Sequence, residues 1–188
     1  MNFKSSHSVQ FFQPDGFTVT AAEPWFKVKV QVITNYIQSF TTHAVQKADE
    51  IIIVDLFAGS GLFSVGHQRE IFPSASLMAL GEDLPVSKWI LCEQDAELIH
   101  AIKTRVNRYY PTRNVLTWNI SPDEWVDGLR SFIPPSKSGF RTAVLCIVDP
   151  FSIDIPFRSI DKLASLGYSF LIPYTFTLNE RKNVEYYL

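Results

Sequence analysis

The chain has little of what builds covalent or metallic frameworks. Two cysteines in 188 residues exclude a disulfide scaffold. Both, Cys92 and Cys146, sit inside apolar runs, where a thiol behaves as a small hydrophobe. The four histidines, His7, His43, His67 and His100, are scattered without ligand spacing, so no metal site is expected. Net charge is only −2, so no global basic field advertises nucleic acid. No apolar run reaches the length of a membrane span, and the N-terminus lacks the apolar core of a signal peptide. The expected location is therefore the cytoplasm, with no membrane partner. Internal repeats and low-complexity segments are absent. What remains is 46% hydrophobic and 14% aromatic, a composition that folds, at a length that suits one domain with a real core.

The stretch from Ile51 to Leu62 organises the rest. Ile51-Ile52-Ile53-Val54 is short, β-branched and apolar on both faces, which reads as a buried parallel strand. It runs into Asp55-Leu56-Phe57-Ala58-Gly59-Ser60-Gly61. Gly59 and Gly61 permit a tight turn and a close backbone approach to a ligand. Leu62, Phe63 and Val65 follow, so a helix is expected to start at the turn and to offer its free N–H groups to polar or anionic groups. No Gly-Lys-Ser/Thr follows, which removes the lysine an NTPase phosphate loop needs. The glycine spacing is also not the full Gly-x-Gly-x-x-Gly fingerprint. With an acid at the strand end, the string Asp-Leu-Phe-Ala-Gly-Ser-Gly resembles motif I of the Rossmann-like S-adenosylmethionine (SAM) methyltransferases. The competing reading is a turn kept only for packing.

Met1 to Ala22 is polar and aromatic without a period, and Gln13-Pro14-Asp15-Gly16 signals a turn. Residues 1–24 read as an N-terminal extension and residues 25–188 as one methyltransferase-like domain. From Pro24, Trp25, Val28, Val32, Tyr36 and Phe40 recur at helical spacing, with Ile33 and Ile37 alongside. Phe26, Val28, Val30 and Val32 also alternate as a strand would. A helix ending near Lys47 is favoured. Further strands are expected at Trp89–Cys92, Val115–Trp118, Ala143–Val148 and Tyr168–Ile172. Between them lie a helix carrying Leu98, Ile99, Ile102 and Val106, a helix opened by the capping box Ser121-Pro122-Asp123-Glu124, and a short helix around Ser159–Ser165. Alternating strands and helices give a Rossmann-like three-layer α/β sandwich: a mostly parallel sheet of order 3-2-1-4-5 with an extra N-terminal helix. Only Thr175 to Leu188 follows the fifth strand. That is too short for a further hairpin and helix, so the sequence reads as a truncated or minimal version.

Ligands in such sheets bind at the carboxyl ends of the strands, at the topological switch point. Asp55, Gly59, Glu93, Asn119 and Asp149 come from four strand ends to that place. Glu93 can accept hydrogen bonds from ribose hydroxyls, although it lies farther from Asp55 than the usual interval of about 20 residues. Its competing role is a solvated strand-end acid. Asn119 can meet an adenine edge or be a turn asparagine. Asp55 would hold backbone N–H groups or a bound amine, or simply brace the turn. Asp95 reads as the cap of the next helix.

Asp149-Pro150-Phe151 closes the fourth strand. It resembles the Asp/Asn-Pro-Pro-Tyr/Phe of amino-group methyltransferases with one proline missing. The resemblance implies that Asp149 handles the acceptor amine and that Phe151 stacks on its base. The competing reading is a strand-terminating Asp-Pro turn. The helix Lys29-x-x-x-Ile33-x-x-Tyr36-Ile37-x-x-Phe40, then Ile53 to Gly61, then Ile147-Val148-Asp149-Pro150-Phe151, is similar to the three-Cys-motif partner family. These are bacterial methyltransferase-like proteins associated with a separate protein carrying three cysteines. That family often has Gly-Ser-Pro where this chain has Ser74-Ala75-Ser76.

The resemblance implies SAM held by Asp55, Phe57, Ala58, Gly59, Ser60 and Gly61, with Glu93 at the ribose and Asn119 near adenine. From its place on the N-terminal helix, Lys29 is expected to reach the methionine carboxylate. Asp149, Pro150 and Phe151 are the candidate catalytic residues, and the acceptor would be a nucleic-acid base or another amine. The alternative is a SAM-binding or degenerate interaction module serving a three-Cys-motif protein. A nucleotide-dependent oxidoreductase is the rival enzyme class. Lys103, Arg105, Arg108 and Arg113, with Tyr109 and Tyr110 between them, could hold a single strand or form a solvated helix face.

Overall fold

A computed structural model describes residues 12–150 and 157–173. The centre is strand β2, Glu50–Asp55, and it is buried on both faces. Ile51 and Ile53 point to one side, where they meet Ile33 and Ile37 of helix α1 (Phe26–Ala44), Leu77 and Leu80 of α2 (Ala75–Leu80) and Ile102 of α3 (Ala96–Tyr109). Ile52 and Val54 point to the other. There they meet Trp125 and Leu129 of α4 (Trp125–Phe132) and Ile160 and Leu163 of α5 (Phe157–Ala164). The period-2 geometry of a strand sends alternate side chains into two cores. That is why four consecutive apolar β-branched residues are tolerated here.

Strands β5 (Lys88–Glu93), β6 (Val115–Asn119), β7 (Thr142–Ile147) and β8 (Ser169–Leu171) join β2 in a sheet of order β6-β5-β2-β7-β8. All four pairings are parallel. Counting these five strands alone, the order is the expected 3-2-1-4-5. Helices cover both faces, and the fold is a Rossmann-like α/β sandwich. The capping box at Ser121 and Glu124 forms and leads through a single 3-10 turn, Pro122–Glu124, into α4. Among the described residues no helix is long and apolar enough to cross a membrane.

One expectation fails. No helix follows the glycine turn. Leu62–Val65 is strand β3, paired antiparallel with β4 (Glu70–Pro73) and parallel with β1 (Thr20–Ala22) in a second, three-stranded sheet. Only four residues separate Gly61 from Gly66, both at positive φ, too few to repay helix nucleation. Phe63 and Val65 instead pack on Phe26 and Val30. The next helix is α2, capped by the Ser74 side chain, which accepts from the Leu77 N–H at 3.2 Å.

On α1 only part of the apolar set read from the sequence is buried. Phe26, Val30, Ile33, Ile37 and Thr41 face the core, whereas Val28 and Val32 are 66% and 60% exposed. Two apolar stripes lie side by side on this helix, and only the one carrying Ile33 and Ile37 finds a sheet to cover.

Candidate functional site

The site is built on the exit of β2. The Asp55 carboxyl is buried. It accepts from the Phe57 N–H at 3.1 Å and from the Ser76 hydroxyl near the start of α2. Burial pushes its pKa up to about 6. The two hydrogen bonds oppose that rise, and the charges of Asp149 and Glu93 add to it.

The two glycines differ in purpose. Both have positive φ. A Cβ on Gly59 would meet nothing within 4 Å, whereas one on Gly61 would sit 3.0 Å from Cγ1 of Ile102. Gly59 therefore presents open backbone, and Gly61 lets α3 approach the turn. Ala58 donates its N–H to the Cys92 carbonyl at 2.9 Å. Ser60 is buried and its hydroxyl donates to the Leu62 carbonyl, so it faces the interior. Phe57 meets Trp125 edge-on, with ring centroids 5.1 Å apart.

Glu93 closes the turn from β5. One carboxylate oxygen accepts from the Gly59 N–H and the other from the Asp95 N–H, each at 3.0 Å. Each oxygen keeps a lone pair for a ligand hydroxyl. Asn119 ends β6 and spends its amide nitrogen on the carbonyls of Glu93 and Gln94, both at 2.9 Å. Its side-chain oxygen alone is left to meet a ligand. Asp95 caps α3 through the N–H groups of Glu97 and Leu98.

Asp149 follows β7. Its carboxylate pairs with Lys29 of α1, with Nζ 3.0 Å from Oδ1 and 2.8 Å from Oδ2. Lys29, Asp55, Phe57, Ala58 and Asp149 line one cavity of about 30 Å³, which has room for a water or two. Pro150 follows; Phe151 lies outside the described residues. A nucleoside-bearing cofactor fits only if most of it lies along the open backbone of Gly59 and the carboxylate of Glu93. Its amino-acid end would then lie near the Asp55 carboxyl, while the Lys29 ammonium is held by Asp149. The charge suits that fit: the Asp55 carboxyl can face the ammonium of such a group. A larger groove of about 680 Å³, lined by Phe40, His43, Lys47, Arg141 and Ser169, lies at the opposite ends of the strands, remote from these groups.

Sequence reading missed Arg105. It is fully buried, and all five of its N–H donors are engaged: with Asp15 at 2.8 and 2.7 Å, and with the carbonyls of Ser60 (2.6 Å), Thr18 (3.1 Å) and Phe17 (3.3 Å). It is not a surface cation and leaves the set read with Lys103, Arg108 and Arg113. The signal was its place between Ile102 and Val106 on the apolar stripe of α3. Ser76 was also missed. It follows the cap of a helix that the strand-like sequence before it concealed.

No family model and no curated protein matches the chain. Among solved structures, the fold is similar to protein LPL1258 from Legionella pneumophila. The TM-score is 0.56 at 11% identity, over 86% of this chain and 72% of that one. An rRNA methylase from Streptococcus thermophilus aligns at TM-score 0.44 and 11% identity, over 80% of this chain and 75% of that one. The Escherichia coli protein yhhF, named as a methyltransferase, aligns at 0.49 and 17%, over 87% and 80%. At these identities the first likeness concerns the fold alone, and the other two are weaker still.

Proposed function

We propose that the chain is a SAM-dependent methyltransferase acting on an amine, a nucleic-acid base among the candidates, and related to the three-Cys-motif partner proteins its motifs resemble. One observation carries the reading. The open backbone at Gly59, the Glu93 carboxylate and the Lys29–Asp149–Asp55 group all lie at the carboxyl ends of adjacent parallel strands, where this fold class binds its ligands.

When bound, SAM supplies an electrophilic methyl group on a sulfonium sulfur. The chain's task is then orientation and acceptance of a proton. Glu93 would hold the ribose and Gly59 would admit the nucleoside. Asn119 would meet the adenine edge through its free oxygen. Asp149 would take the acceptor's proton at a carboxylate oxygen, with Phe151 as the expected stacking ring. The test is tritium transfer from labelled SAM to RNA, DNA and protein fractions, for wild type and Asp149→Ala. Transfer lost in the variant while SAM still binds is the expected result.

A second reading is a methyltransferase-like interaction module serving a partner protein. It is favoured by the apolar stripe of Trp25, Val28, Val32 and Tyr36, which α1 turns away from the core. SAM binding without transfer to any fraction would support the module.

A further inference from the structure

Lys29 reaches the site from α1, far in sequence from the strand ends it meets. One ammonium spans both oxygens of Asp149, at 3.0 and 2.8 Å. Two rings flank it, Trp25 with its centroid 5.7 Å from Nζ and Phe26 at 5.3 Å. Rings so placed attract the cation and restrict where Nζ can swing. Both members of the pair are largely withdrawn from solvent, with side chains 16% and 22% exposed. The charged groups facing Asp149 among the described residues are Lys29 from α1 and Asp55 at the end of β2, and all three line one cavity.

Resting on the methyl-transfer reading above, we propose that Lys29 is the positioning residue of this site. Its ammonium, bound to both oxygens of Asp149, orients that carboxylate at the cavity and, as a fixed positive charge, favours the ionised form in which it can accept the substrate's proton. The two acids differ in what opposes their burial. Burial pushes Asp149 up on balance, with Lys29 opposing the rise both by its charge and by its hydrogen bond. Asp55 has only the neutral donors Ser76 and Phe57 against its burial, and the carboxylates of Asp149 and Glu93 add to the rise. In the step itself the acceptor nitrogen forms a bond to the methyl carbon. The carbon–sulfur electron pair stays with sulfur as a neutral thioether, and the nitrogen's proton goes to an Asp149 oxygen.

The test is a carboxyl-carbon NMR titration of aspartate-labelled full chain, with the Asp149 signal assigned by its loss in Asp149→Asn. In Lys29→Met and Lys29→Gln the Asp149 midpoint is expected to rise by one unit or more, about a tenfold change in proton affinity. In Lys29→Arg it should stay near wild type. A midpoint unmoved in either folded neutral variant, with folding checked by thermal melting, overturns the role of Lys29. The titration needs no cofactor. An absence of transfer in wild type together with a moved midpoint would therefore overturn the methyl-transfer reading instead. Where transfer is seen, its acidic limb should move to higher pH in Lys29→Met.

Discussion

Arg105 and Asp15 form a two-point ion pair across 90 positions of the chain, with side chains 0% and 4% exposed. The same guanidinium holds the Ser60 carbonyl in the glycine turn at 2.6 Å. One residue thus ties the N-terminal segment and α3 to the loop that frames the candidate site. Phe12 on Tyr109 and Phe17 on His100, ring pairs at 5.1 and 5.7 Å, extend the same attachment.

Removing one partner of a buried pair strands the other charge, at a cost of about 3–5 kcal/mol. Arg105→Met should lose about that much in urea unfolding, and the double variant with Asp15→Leu should recover part of it. Arg105 holds the Asp15 carboxyl below its usual range. Its contribution is therefore present above the ordinary carboxylate pKa and is lost as pH falls through the lowered value. Unfolding curves taken across that acid range should show a steeper decline for wild type than for the double variant.

Asp55 works in the opposite sense. Its folded pKa of about 6 lies above the ordinary 3.8, so the folded state holds the proton more tightly. As pH rises from about 4 to about 7 the unfolded chain ionises first, and stability falls by roughly 3 kcal/mol. Asp55→Asn should flatten this slope, gaining on wild type as pH rises. Urea midpoints at the two ends of the range check it; parallel curves for the two proteins would contradict it.

Gly128 sits inside α4, where an alanine would ordinarily favour the helix by about 1 kcal/mol. Here a Cβ would lie 1.6 Å from Cη2 of Trp118, whose ring also packs edge-on against Phe132 at 5.1 Å. Gly128→Ala should therefore destabilise, by about 1–3 kcal/mol as overpacking does. Adding Trp118→Leu should restore much of the loss in a thermal melt.

Much of this architecture is legible in the residues. The unbroken Ile51–Val54 run marks a strand with cores on both faces, and Ser121 to Glu124 marks the start of a helix through its own side-chain bonds. Both signals are local, and local signals survive folding. The hairpin β3–β4 is not legible, because Leu62, Phe63 and Val65 suit either period and what decides is the distant face of Phe26 and Val30. The orientation of α1 is hidden for a similar reason: Val28 and Val32 are as apolar as Val30 and Ile33, and only the sheet chooses between them. Arg105 reads as a surface cation until its partner, Asp15, is brought to it. At the site, the acids at the strand ends are readable as positions. The bonds they make, Glu93 to Gly59 and Asn119 to the β5 exit, emerge only once the strands are paired.

The most direct test of the account is calorimetric titration with SAM and with S-adenosylhomocysteine, for wild type, Gly59→Val and Glu93→Ala. Melting curves would confirm that the variants fold. Binding by wild type is predicted, weakened at least about tenfold in each variant, equivalent to about 1.4 kcal/mol. Binding that persists unchanged in both variants, or heat released with NAD and none with SAM, would contradict a SAM site at this turn.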